Sequence, residues 1–142
     1  MKPNPPLSHG VQRWHAPNSG WIKVNWDASL EKDMGRMGYS AVVRDDLGLV
    51  VAAQSVTSLG SLDSSLAEVG AILKAIQLCV SLGLQRVIFE GDSKGVVDGI
   101  HSTTKDWSHK RMMLVDIRMQ LQNVSQWWVE FVCREDNQVA HT

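Results

Sequence analysis

Over residues 21–27 apolar and polar positions alternate, with Ile22, Val24 and Trp26 on one side and Lys23, Asn25 and Asp27 on the other. This period of two marks a strand with one buried face, expected to end on Asp27. After a loop from Glu31 to Arg36, a second strand-like run covers 37–44, and the turn formers Asp45, Asp46 and Gly48 link it to a third over 49–56. Short connections between three strands make an antiparallel meander. The period then changes. Leu66, Val69, Ile72, Leu73, Ile76, Cys79 and Val80 recur at spacings of three and four, the stripe of an amphipathic helix that stops near Gly83, with Glu68 in its first turn. Arg86, Val87, Ile88 and Phe89 form a short β-branched and aromatic run, a buried strand expected to lie parallel to the first, and Gly91 permits a tight exit from it. A short helix follows to about Ile100, then a helical pattern over 107–124 through Met112, Val115, Met119 and Gln122, a last strand over 127–132, and the opening of another helix from Asn137.

This order predicts an α/β fold: a five-stranded mixed sheet, built from the antiparallel meander plus parallel strands and flanked by helices. All four prolines fall in the first 17 residues, so 1–19 reads as a flexible leader and 20–142 as one domain whose C-terminal helix is truncated. A monomer is expected.

Composition narrows the function. The formal net charge of −1 leaves no global basic field, so any nucleic-acid binding must be local. Cys79 and Cys133 are too few for a disulfide framework, which points to a reduced, intracellular protein, in nucleus or cytoplasm alike. No apolar run approaches the roughly 20 residues of a spanning helix, and membrane insertion is not expected.

Three acids stand at element ends: Asp27 after the first strand, Glu68 at the start of the long helix, Asp92 after the fourth strand. Each also has a local reading. Asp27 fits a turn, Ser65 to Glu68 fits a capping box, and Asp92 or Ser93 fits the N-cap of the helix that follows. If the first and fourth strands are neighbours, however, the three carboxylates converge, and like charges at close range must protonate or be neutralised. A divalent cation removes that conflict, and hard oxygen ligands suit Mg²⁺ or Mn²⁺. Two such ions roughly 3.5–4 Å apart can activate a water on one side of a phosphodiester and stabilise the leaving oxygen on the other. Trp26 and at least one of Trp127 and Trp128 read as core or sheet cover. Lys105, His109, Lys110 and Arg111 form a basic cluster that reads as a solvated helix face.

The segments 20–29, Ala67-Glu68, 89–93 and 134–141 together resemble the ribonuclease H fold, in particular the plant ribonuclease H-like domains found alone or at the end of retroelement-derived polyproteins. The resemblance runs from Gly20 to the C-terminus. It implies a metal-dependent endonuclease that cuts the RNA strand of an RNA·DNA hybrid, with Asp27, Glu68 and Asp92 as catalytic, metal-binding acids. It also implies nucleic-acid contacts at Ser29, Ser93 and Asn137. Two positions depart from the family pattern. Active members place a fourth acid where this chain has His141, a residue that can still ligate a metal through neutral imidazole, and commonly a histidine where it has Phe131. The basic insertion by which some members grip hybrid is not visible. These departures keep a second reading open, a weakened or inactive nucleic-acid-binding module, and a third, a structural remnant.

Overall fold

Ten consecutive residues, Ile22–Glu31, form the central strand β1. The structure, a computed structural model, describes residues 14–59, 64–102 and 111–137. Around β1 stand β2 (Arg36–Arg44), β3 (Val50–Leu59), β4 (Arg86–Gly91) and β5 (Gln126–Phe131), in the spatial order β3-β2-β1-β4-β5. The meander β1-β2-β3 is antiparallel, and β4 and β5 join as parallel strands, as expected from the sequence. The β2–β3 turn is built by Asp45, whose carboxylate accepts the amides of Leu47 and Leu49 while Gly48 takes a φ of +81°.

β1 does not end at Asp27. It continues to Glu31 because β2 pairs with it from Lys23 to Glu31, Asp27 lying opposite Ser40, and only the ladder with β4 stops early. The expected loop from Glu31 to Arg36 shrinks to one 3₁₀ turn, Lys32–Met34.

The helices are α1 (Ser64–Ser81), α2 (Lys94–His101), α3 (Arg111–Leu121) and a short α4 (Arg134–Asn137). α1 covers β1 and β2 with the predicted stripe, burying Val69, Ile72, Ile76 and Cys79 against Val24, Trp26, Val43, Val87 and Phe89. α3 packs on α1, but on the opposite face from the one predicted. Ile117 and Leu121 are buried and Leu114 partly so, whereas Val115, Met119 and Gln122 are exposed. Both sets keep helical spacing two residues apart, so periodicity left the phase open and tertiary packing chose the face of Leu114, Ile117 and Leu121. Trp26 is fully buried and Trp127 partly so, in keeping with their reading as core; residues 105–110 of the basic cluster lie outside the described residues.

The alternation along β1 conceals a second buried layer. Lys23 and Asn25, expected on the polar side, are 3% and 0% exposed. Lys23 Nζ sits 3.0 Å from Glu90 Oε2 and donates to the carbonyl of His15, and Asn25 donates to Glu90 Oε1 at 3.1 Å. Burial pushes the Glu90 carboxyl up, and Lys23 pulls it back. Trp14 closes this layer: its indole N–H donates to Asn25 Oδ1 at 2.8 Å, and its ring lies 5.3 Å from the Lys23 ammonium and 5.4 Å from the Arg44 guanidinium. A charge that would be costly alone is here paired, hydrogen-bonded and covered.

Gly91 serves packing rather than a turn. Its φ is not positive, and a Cβ at this position would run into the six-membered ring of Trp26. Gly91→Ala should therefore displace a fully buried indole and cost about 1–3 kcal/mol, as overpacking does. Urea unfolding checks this, and a midpoint equal to that of the parent would show that the ring has room to move.

Candidate metal centre

The parallel ladder between β1 and β4 ends with Asn25 opposite Glu90. Asp27 and Asp92 each lie two residues beyond that last pair, Asp27 still in β1 and Asp92 just past the end of β4. Glu68 reaches them from α1, where it is the fifth residue rather than part of the first turn, because the helix starts earlier than its apolar stripe. One carboxylate oxygen from each acid lies within 4.8 Å of the others. Asp27 is buried, and Glu68 and Asp92 are partly so.

The local alternatives fare differently. Asp27 is in a strand, not a turn. Ser65 is already helical, so it does not occupy the N-cap that a capping box with Glu68 requires. Ser93 takes the N-cap position of α2, and its side chain makes no capping bond.

Electrostatically the cluster is unbalanced. The Glu68 carboxyl is raised to about 8, first by burial and then by the negative charges of Asp27 and Asp92, with Arg134 opposing. Its Oε2 is buried and has no hydrogen-bond partner among the described residues. An all-oxygen donor set, mutual repulsion and an orphaned buried oxygen together fit a hard divalent cation, with Asp27, Glu68 and Asp92 as the residues to hold it.

One six-residue segment supports the site from above. The Val132 amide donates to the carbonyl of Gly91, the residue before Asp92. At its other end, Asn137 donates through Nδ2 to the carbonyl of Trp26, the residue before Asp27, at 2.8 Å, and accepts from Asn25 at 3.1 Å. Asn137 is thus buried, with its amide engaged inside the protein. Ser29 is exposed on β1 opposite Gly38, and His141 lies outside the described residues. Phe131, where the family pattern has histidine, is 47% exposed at the end of β5.

The sequence reading missed Asn25, Glu90 and Arg134. An opposite-charge pair on the same side of two neighbouring strands, Lys23 and Glu90, was the available signal. It also passed over His101, which stacks on Trp128 at 4.4 Å and bonds the Val129 carbonyl at 2.5 Å.

A raised Glu68 pKa means that the folded protein holds this proton more tightly than the unfolded chain. Its stabilising contribution is complete below the unfolded value near 4.5 and is lost as pH climbs through about 8. In EDTA, the thermal midpoint of Glu68→Gln relative to the parent should therefore rise between about pH 5 and about pH 9. A constant difference over that range would mean that Glu68 does not carry the extra proton.

The sequence pattern of the reverse transcriptase-like family matches residues 25–142. Among solved structures, RNase H1 from the halophilic archaeon Halobacterium salinarum is similar over 85% of this chain and 92% of its own, with 20% identity and a TM-score of 0.78. The N-terminal RNase H domain of a Mycobacterium tuberculosis protein, solved as a fusion with maltose-binding protein, gives 22% identity and 0.74 over 84% and 87%. LC11-RNase H1, isolated from compost by a metagenomic approach and solved in complex with an RNA/DNA hybrid, gives 17% and 0.72 over 84% and 91%. No curated protein sequence matches significantly. With the pattern spanning most of its length, this chain belongs to the reverse transcriptase-like family and has the ribonuclease H fold.

Proposed function

We propose that the protein is a metal-dependent endonuclease that hydrolyses the RNA strand of RNA·DNA hybrids. The observation that carries this reading is the convergence of Asp27, Glu68 and Asp92 within 4.8 Å, with Glu68 driven toward protonation first by burial and then by the other two acids. The structural neighbour bound to an RNA/DNA hybrid supports the choice of substrate. Asp27, in β1, and Asp92, just past the end of β4, would be the shared metal ligands, and Glu68 would hold a second ion or its waters. When bound, Mg²⁺ or Mn²⁺ supplies an activated water and neutralises the charge that develops on the leaving oxygen. The protein's own part is to hold three oxygens in place and to exclude water from behind them, which the buried Trp26 and the Asn25–Asn137 contact accomplish. With a formal net charge of −1, hybrid binding rests on local contacts rather than on a global basic field. A monomer suffices, since all three acids come from one chain.

A second reading, a hybrid-binding module with weakened or lost chemistry, is favoured by His141 and Phe131 at positions where active members carry an acid and a histidine.

Labelled hybrid incubated with Mg²⁺ or Mn²⁺ separates the two. Metal-dependent cutting by the parent, reduced about 100-fold or more in Asp92→Asn, is the expected result. Cutting no faster than by Asp92→Asn would sink the nuclease reading. Activity that appears only in His141→Asp would mean that one ligand position silences an otherwise complete site, and hybrid binding that survives in EDTA without cutting would establish the second reading.

A further inference from the structure

Residues 14–20 form a strap held against the buried polar layer of Lys23, Asn25 and Glu90, and it is fastened at both ends. The carbonyl of His15 accepts from Lys23 Nζ at 2.6 Å, and the amide of Gly20 donates to Asp46 Oδ2, in the β2–β3 turn, at 2.8 Å. The family pattern begins at residue 25, so the strap stands outside it.

From this strap a relay of three hydrogen bonds leads to the acidic site. The Trp14 indole N–H donates to Asn25 Oδ1 at 2.8 Å, Asn25 Nδ2 donates to Asn137 Oδ1 at 3.1 Å, and Asn137 Nδ2 donates to the carbonyl of Trp26, the residue before Asp27, at 2.8 Å. Chemistry forces the direction of the relay. An indole N–H can only donate and a backbone carbonyl can only accept, so the two carboxamides between them stand one way round. Glu90 Oε1 accepts from Asn25 Nδ2 at 3.1 Å and holds it in the same sense. Asn25 and Asn137 are 0% and 1% exposed, so solvent does not reach them to replace a lost partner. Linked bonds of this kind polarise one another in a buried setting, and the loss of one weakens the next.

We propose that Trp14 is a positioning residue for the acidic site. Its N–H sets Asn25, Asn25 sets Asn137, and Asn137 holds the backbone from which Asp27 projects. Strap and acids then form one mechanical unit, and anything that lifts the strap loosens the site from a distance. The proposal rests on the reading of Asp27, Glu68 and Asp92 as a metal centre and adds a residue that acts on it without touching it.

The test uses the full chain and Trp14→Phe, which keeps an aromatic ring over the layer and removes the N–H. Mn²⁺ affinity is measured by electron paramagnetic resonance of the free ion. Hydrogen exchange is followed at the backbone amide of Asn137, whose bond to the Cys133 carbonyl closes α4. Trp14→Phe should weaken Mn²⁺ binding about threefold to tenfold, the loss of one neutral hydrogen bond, and speed the Asn137 exchange by a similar factor. Ile76→Val is the control for a general loss of stability, since Ile76 is fully buried about two turns beyond Glu68 on α1. It should lower the urea midpoint and leave Mn²⁺ affinity unchanged. In an Asn137→Ala background, where the relay is already cut, Trp14→Phe should have no further effect on Mn²⁺ affinity. An equal loss in both backgrounds would overturn the proposal. So would unchanged affinity and exchange in Trp14→Phe, or losses that Ile76→Val reproduces at the same midpoint, because the strap would then be cover alone. A parent that binds no Mn²⁺ sinks the metal-centre reading; faster Asn137 exchange in Trp14→Phe would still uphold the link from the strap to the backbone before Asp27, and unchanged exchange would sink both.

Discussion

The parallel contact between β1 and β4 governs the rest of the molecule. It joins strands far apart in sequence and stops at Asn25 and Glu90. Since β1 is held by β2 from Lys23 to Glu31, it continues alone past that point, and β4 gives way to the start of α2. A gap opens at the carboxyl end of the sheet where two chains diverge, the kind of place at which open α/β sheets gather ligands. Asp27 and Asp92 stand at its mouth, and α1, laid across β1 and β2 by its apolar stripe, supplies Glu68.

Four acids lie close to this junction, and the protein treats them in two ways. Glu90 is given a permanent cation in Lys23, an amide donor in Asn25 and a cover in Trp14. Asp27, Glu68 and Asp92 are instead brought together with oxygens within 4.8 Å of one another, and Oε2 of Glu68 is buried with no hydrogen-bond partner among the described residues. Structural burial of a carboxylate demands compensation from the chain itself, as Glu90 shows. Glu68, raised first by its burial and then by Asp27 and Asp92, is the carboxyl of this junction whose perturbation points to function.

Much of this was legible in the sequence because it is local. Strand and helix periods, the Asp45–Gly48 turn and the apolar stripe of α1 are properties of neighbouring residues, and the structure follows them. The acids were legible by position, since each sits where one period gives way to another. What was not legible depends on partners distant in sequence. Lys23 and Asn25 looked like solvent-facing alternates because nothing near them shows that Glu90, Asn137 and Trp14 cover that face. Gly91 looked like a turn because the ring that needs its missing Cβ lies 65 residues earlier, on Trp26. The phase of α3 was ambiguous because both of its faces carry apolar residues at helical spacing, and tertiary packing decided between them.

The attachment of residues 132–137 has an evolutionary consequence. These residues add little to the hydrophobic core, which is built from β1, β2, β4, β5 and the first three helices. A lineage can therefore substitute at the exposed positions of this segment, Arg134 and Glu135, while selection for folding continues to act on a different set of positions, the buried Asn137 among them. Decay and repair of the site are then separated by a few side-chain exchanges on an intact scaffold, and dormant copies of such a domain remain within reach of recruitment.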